Sequence, residues 1–250
     1  MRLKYGYFCN MKVAEQIRKT IVKLPEDKTF GYADLPIAKS DYQTAAKALE
    51  RMQVKGLIKK MSKGIFYKPI KTVFGELLPN DSEQIKPYLF KNGKRVAYIT
   101  GESLYNQMNL TTQMAFRIKI ASNKRIKIDK GAIKARSVKS YAEVTEVNYQ
   151  LLGFLDAIKD IKTIPDCTVA NAVKILSKKI ESFDDKSVHD LIKYALLYPP
   201  RVRALLGAML QNIDKSINTE NLKESLNPIT TFELGLKEND LPTIKNWFIV

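Results

Sequence analysis

Apolar residues recur at helical spacing over Val13, Ile17, Ile21 and Leu24, with Glu15, Arg18, Lys19 and Lys23 between them. This predicts an amphipathic helix that stops before Pro25. Thr29 to Gly31 reads as a short extended link, and Tyr32 to Leu35 as a helical turn ended by Pro36. Ser40 then offers an N-cap oxygen, with Gln43 in the capping-box position. A third helix follows from about Asp41 to Lys55, with Tyr42, Ala45, Leu49 and Met52 on its apolar face. Its opposite face carries Gln43, Lys47 and Arg51, flanked by Ser40 and Thr44, and Gly56 supplies the stop. Leu57 to Met61 and Ile65 to Lys68 read as two strands around a Ser62-Lys63-Gly64 turn, whose glycine suits a positive φ. Helix followed by a basic two-stranded ribbon is the pattern of a winged helix-turn-helix.

Beyond Pro69 the pattern loosens. The stretch TVFGELLPNDSE, rich in Gly, Pro and Asn-Asp-Ser, reads as a linker. A helix is expected over Glu83 to Phe90, a turn at Asn92-Gly93, a strand over Arg95 to Thr100 and a helical turn or two over Glu102 to Met108. Arg117 to Ala121, Arg125 to Ile128 and Ala135 to Val138 alternate as strands of a small sheet with one basic face. From Glu146 the texture is helical: Asn148 to Ile161, Val169 to Ile180, Ser187 to Leu197 and Arg201 to Ile213, separated by Pro165, Asp184-Asp185 and Pro199-Pro200. The expected class is α+β. A winged helix-turn-helix spans 11–70, a linker 71–82, and a domain with a small sheet and a helical bundle 83–214. A partly ordered tail takes 215–250, where the apolar run Trp247 to Val250 is the segment able to dock on a surface.

Charge sharpens this division. The net charge of +16 is not spread evenly. Residues 1–75 hold 16 Lys and Arg against 6 Asp and Glu, and residues 76–140 hold 13 against 5. Residues 141–250 hold 13 against 15, so the excess lies wholly in the first 140 residues. A one-sided basic field suits a phosphate backbone, whose counterions are released on binding. Cys9 and Cys167 match no metal or redox spacing, which points to a reduced cytoplasm. No segment approaches the roughly 18 apolar residues of a membrane span. Residues 1–10 lack the apolar run of a signal peptide and read as a loose tail, or as an upstream start before Met11.

The strongest candidate chemistry is DNA contact. Gln43 suits an adenine edge, Lys47 and Arg51 reach guanine or phosphate, and Ser40 and Thr44 sit near the helix start where phosphates bind. Lys59, Lys60, Ser62, Lys63 and Lys68 place further donors on the ribbon. A solvated helix face has the same composition; the ribbon and the local charge favour DNA. A second basic set, with Arg95, Arg117, Lys119, Arg125 and Lys127 foremost, reads either as a solvated sheet face or as a surface for nucleic acid or an acidic partner. Arg201 and Arg203, in the first turn of a helix where cations are unfavourable, read either as a functional pair or as cations met by a nearby carboxylate. The single histidine, His189, and the absence of phosphate-binding glycine motifs leave metal sites, triads and nucleotide loops without parts. No enzyme, cofactor or metal is expected. The alternatives are a nuclease with its site in the basic sheet, and a winged helix that contacts protein instead of DNA.

Several runs carry a resemblance: TFGYADLP, KGLIKKMSKGIFYKP, FGELLPNDSEQI, YITGESLYNQMNLTTQ, LLGFLDAIKDIKTIPD and YPPRVRALLGAML. From about Met11 to Ile213 they resemble the AbiEi-like family of winged-helix antitoxins from type IV toxin–antitoxin, or abortive-infection, systems. The resemblance implies an N-terminal domain that binds inverted repeats in its own promoter and represses its operon. It also implies a C-terminal domain that counters a nucleotidyltransferase-type toxin without needing a stable complex. Carried onto this chain, the DNA-reading positions are Ser40, Gln43, Thr44, Lys47 and Arg51, with the wing at Lys59 to Lys63. No motif of the family fixes antitoxic residues, so Arg95, Arg117, Lys119, Arg125 and Lys127 are candidates from charge alone.

Overall fold

A computed structural model describes residues 13–73, 75–130 and 133–250. The reading of residues 1–10 lies outside the described residues. The fold is mixed α+β, and the chain divides into two compact units, one ending at Gly93 and one running from Lys94 to Val250.

In the first unit, α1 (Val13–Lys23) buries Ile17 and Ile21, and α2 (Tyr42–Val54) buries Ala45, Ala48, Leu49 and Met52. With Phe30, Leu35, Ile58 and Phe66 these form one core. Each fully buried Ile, Leu or Phe contributes about 1.5–3 kcal/mol, so this small set carries most of the unit's apolar stabilisation. Between the helices lie β1 (Thr29–Gly31) and two 3₁₀ turns, Tyr32–Asp34 and Lys39–Asp41. The hairpin β2 (Lys59–Ser62) and β3 (Ile65–Tyr67) follows. Gly64, at φ +75°, makes its turn. β3 is the middle strand, with β1 on one side and β2 on the other, all antiparallel. The register shifts between Lys60 and Ser62, which kinks the exposed edge strand.

Two expectations change here. Ser40 is not an N-cap: the cap position is Asp41, without a side-chain bond, because the chain enters α2 through the Lys39–Asp41 turn. The segment 71–82 is not a linker but folded structure within the first unit. β4 (Ile70–Thr72) and β5 (Gly75–Leu77) pair across it. The Asn-Asp-Ser run starts α3 (Asp81–Leu89), with the Asn80 side chain accepting from the Glu83 N–H at 3.0 Å. The residues that suggested a loop are a helix cap. β6 (Phe90–Lys91) closes the unit.

Glu83 fixes α3 to β1. Its buried carboxylate accepts from Lys28 Nζ at 2.8 Å, the Thr29 N–H at 3.2 Å and Thr29 Oγ1 at 3.1 Å. Burial raises its pKa, but Lys28, the Thr29 N–H and Lys86 outweigh burial and hold it below the ordinary value of 4.5. A depressed carboxyl adds stability above that value, and this stability is lost as the pH falls through the folded-state pKa. Glu83→Gln is expected to cost the first unit about 1–3 kcal/mol at neutral pH. The deficit should shrink as the pH drops below 4.5. Hydrogen exchange at the β1 amides measures it; a deficit independent of pH would show that the charge is not what stabilises.

After β7 (Lys94–Arg95), the second unit forms a four-stranded sheet from β8 (Ala97–Thr100), β9 (Ile118–Ser122), β10 (Lys127–Lys130) and β11 (Ile133–Lys139). The order is β10-β11-β9-β8, with β9 and β11 parallel and the other pairs antiparallel. The helix α4 (Glu102–Gln107) follows β8, and a bundle follows the sheet: α5 (Tyr149–Lys159), α6 (Val169–Ile180), α7 (Asp185–Ala195), α8 (Pro200–Ile213) and the short α9 (Glu220–Glu224). Thr168 and Asp184 cap α6 and α7 through the N–H groups of Asn171 and Ser187. α5 and α8 are buried along most of their length and form the middle of the core.

The segment 215–250 is not a partly ordered tail. Leu222, Leu226, Phe232, Leu234, Leu236, Leu241, Ile244, Trp247 and Ile249 are all buried in the core of the second unit. Trp247, 1% exposed, lies directly over α8. A Cβ on Gly207 would come within 2.2 Å of the indole, so only glycine admits the ring. The indole N–H donates to Gln211 Oε1 at 2.8 Å, and Thr243 Oγ1 donates to the Ala208 carbonyl at 2.6 Å. Phe232 and Ile249 close the segment as a parallel bridge.

Candidate nucleic-acid interface

The core of the first unit uses one side of α2, and the helical period therefore presents the other side outward. Gln43, Thr44, Lys47 and Arg51 are all exposed, as is Ser40 in the preceding turn. Among the described residues neither Lys47 nor Arg51 makes an ion pair, so both guanidinium and ammonium are available to an external anion. Tyr42, expected on the buried face, is instead partly exposed and packs its ring against Tyr32 at 5.2 Å.

The hairpin divides its cations. Lys60 and Lys63 are exposed, and Ser62 lies between them at the bulge, half-buried. Lys59 is held by Glu76 of β5, whose hydrogen bond and charge raise the lysine pKa and lower that of the glutamate. Lys68 turns inward and donates to the carbonyls of Leu24 at 3.3 Å and Val22 at 3.5 Å, at the C-terminal end of α1. This is a favourable place for a cation, since the last carbonyls of a helix lack partners. Lys59 and Lys68 therefore have structural partners, and the outward set is Ser40, Gln43, Thr44, Lys47, Arg51, Lys60 and Lys63, with Ser62 beside it.

The second basic set also separates. Arg95 is bound to Glu146 at 2.9 Å and stacks 3.8 Å over the Tyr149 ring. Lys119 pairs with Glu102 at 3.0 Å. Arg117, Arg125 and Lys127 stay exposed and line a cleft of about 450 Å³ together with Lys134 and Arg136. Lys134 and Arg136 lie on β11, which the alternation of the sheet brings opposite β10.

Sequence reasoning missed a buried polar cluster. Asp156 of α5 is 2% exposed. One carboxylate oxygen accepts from Tyr98 at 2.9 Å and Thr100 at 2.8 Å of β8; the other accepts from Tyr198 at 3.3 Å and Lys159 at 3.2 Å. Beside it Tyr105 donates to Asp160 at 2.7 Å. Burial raises the Asp156 pKa, and the surrounding lysine and hydroxyls only partly offset it. Burial and the adjacent carboxylates also push the phenols of Tyr98, Tyr105 and Tyr198 upward. The runs YITG, LDAIKD and YPPR thus meet at one point. The signal available in sequence was an aspartate inside an otherwise apolar helix, which must find donors when buried. Arg201 and Arg203 do not meet the expected carboxylate: they donate to the carbonyls of Lys159 at 2.8 Å and Ser225 at 3.0 Å. Among the described residues no three His, Cys, Asp or Glu side chains gather as metal ligands would, and no helix is long and apolar enough to cross a membrane.

No curated protein matches the chain. A family described as a family of unknown function, DUF6088, matches residues 16–183, and the chain belongs to that family.

Proposed function

We propose that this protein is a DNA-binding regulator whose first unit is a winged helix-turn-helix, with α2 as recognition helix and the β2–β3 hairpin as wing. The observation that supports it most is the outward face of α2. Gln43, Thr44, Lys47 and Arg51 stand exposed on a rigid helix whose other side is core. A helix of this width enters the roughly 12 Å major groove. Lys60 and Lys63 then lie where a wing meets the flanking backbone. In this reading the protein binds inverted repeats in its own promoter and represses its operon in the cytoplasm. Through its second unit it acts as the antitoxin of a type IV system, opposing a nucleotidyltransferase-type toxin without a stable complex.

The test is a mobility-shift titration of the purified chain on DNA from upstream of its gene. Each phosphate contact adds about 0.9 to the salt slope. Phosphate contacts from Lys60 and Lys63 should give a log–log slope of about −2 or steeper per bound chain. A flat response between low and moderate salt would rule out a cationic footprint. The antitoxin half is tested by co-expression with the product of an adjacent nucleotidyltransferase frame: growth should be restored by the parent and also by a Lys47→Ala/Arg51→Ala variant. Failure of both to restore growth removes the antitoxin assignment while leaving repression standing.

A further inference from the structure

The second unit carries a groove that the regulator reading does not use. The cleft lined by Arg117, Arg125, Lys127, Lys134 and Arg136 adjoins another of about 520 Å³, lined by Gln113, Met114, Phe116 and Lys119 and sharing Arg117 and Arg136. Glu102 also lines the second cleft and is already paired with Lys119. The first cleft has five cations and no carboxylate among its described lining residues. None of the five makes an ion pair among the described residues.

The rim is equally unusual. Phe116 is 81% exposed and Met114 91% exposed, although both are large apolar side chains. Lys134 Nζ stands 5.0 Å from the Phe116 ring centroid. The ring is thus accessible to a flat partner at the edge of a cationic channel. Cations that follow a phosphate chain, with an aromatic face beside them to receive a base, are the two parts of a single-strand site. A duplex keeps its base faces stacked inside and has nothing to lay on the ring; an unpaired base does.

We propose that this groove binds single-stranded nucleic acid, with Arg117, Arg125, Lys127 and Arg136 along the backbone and Phe116 stacking on a base. The site is separate from the α2 face and does not depend on that face reading DNA.

Fluorescence anisotropy of the full chain with labelled single strands of about 12 nucleotides, DNA and RNA, tests it. Both parent and variants carry Lys47→Ala and Arg51→Ala, so that the first unit contributes little. Phe116→Ala is expected to weaken single-strand binding about tenfold or more. It should leave the binding of a blunt duplex of the same length unchanged. Arg117→Glu with Arg136→Glu should abolish single-strand binding. Native emission from Trp247 verifies that each variant is folded, and since Phe116 is exposed its loss leaves the core intact. Equal affinity of the Phe116→Ala variant, or no binding by the parent, overturns the proposal. Preferential displacement of the strand by poly-glutamate would assign the groove to an acidic protein and overturn it as well.

Discussion

Alanine at both Lys47 and Arg51 is expected to lower affinity for DNA from upstream of the gene at least about thirtyfold. A side chain bonded to a base edge is worth about 1–3 kcal/mol, and each 1.4 kcal/mol is a factor of ten. Two such losses reach about thirtyfold at the low end of that range. The fold should survive, because both residues project from the exposed side of α2 and alanine is the best helix former. Neither substitution leaves a buried partner behind. Lys60→Ala and Lys63→Ala should behave differently, weakening all DNA sequences alike and reducing the salt slope by about one each. A competition titration against unrelated DNA separates the two classes. Unchanged affinity of the double variant would remove α2 from the interface, whatever the hairpin does.

Asp156→Ala should cost the second unit about 3 kcal/mol, the low end for a broken buried pair, because it takes the nearer of two carboxylates from the part-buried Lys159 ammonium and leaves Asp160 at 3.6 Å. It also leaves the hydroxyls of Tyr98 and Thr100 without their acceptor, at about 1–3 kcal/mol for each one left unsatisfied, while Tyr198 keeps the Leu152 carbonyl at 3.0 Å. Against a typical domain stability of about 5–15 kcal/mol, the variant should be close to unfolded at growth temperature. Asp156→Asn keeps one acceptor oxygen and should lose less. Its pH dependence runs opposite to that of Glu83. A carboxyl raised on folding contributes stability that is complete below its ordinary value of 3.8 and is lost as the pH rises through the folded-state value. The gap between the parent and the asparagine variant should therefore be widest in acid. The chain has one tryptophan, Trp247, inside the second unit, so its emission reports this unfolding without a signal from the first unit. A denaturant midpoint unchanged in the alanine variant would show the cluster to be incidental.

Periodic signals were legible and aperiodic ones were not. The 3.6-residue repeats of α1, α2 and α6 and the strand alternation of the sheet appear in the sequence because each element buries one face, and burial imposes the period. α2's outward side was readable for the same reason. The segment after Lys215 was misread because Phe232, Leu241 and Trp247 each enter a separate site in the core with no repeating interval. Gly207 gave no local sign that a ring would lie over it; that contact joins positions far apart in the chain. The partners of Lys59, Lys68, Arg95 and Lys119 were invisible for a related reason. A charge count records a cation and not the glutamate or carbonyl that tertiary structure brings to it. Exposed cations and satisfied ones differ only after folding.

The closure of the second core by Trp247 sets an order of events on the ribosome. Every element of the first unit has been synthesised once Gly93 is made. The second unit has α8 but no cover for Gly207 until the indole is added. At about 5–20 residues per second, the stretch from Gly207 to Trp247 takes about a few seconds. During that time, the nascent chain can carry both a finished first unit and an open, apolar bundle, which is the species that chaperones and proteases would meet.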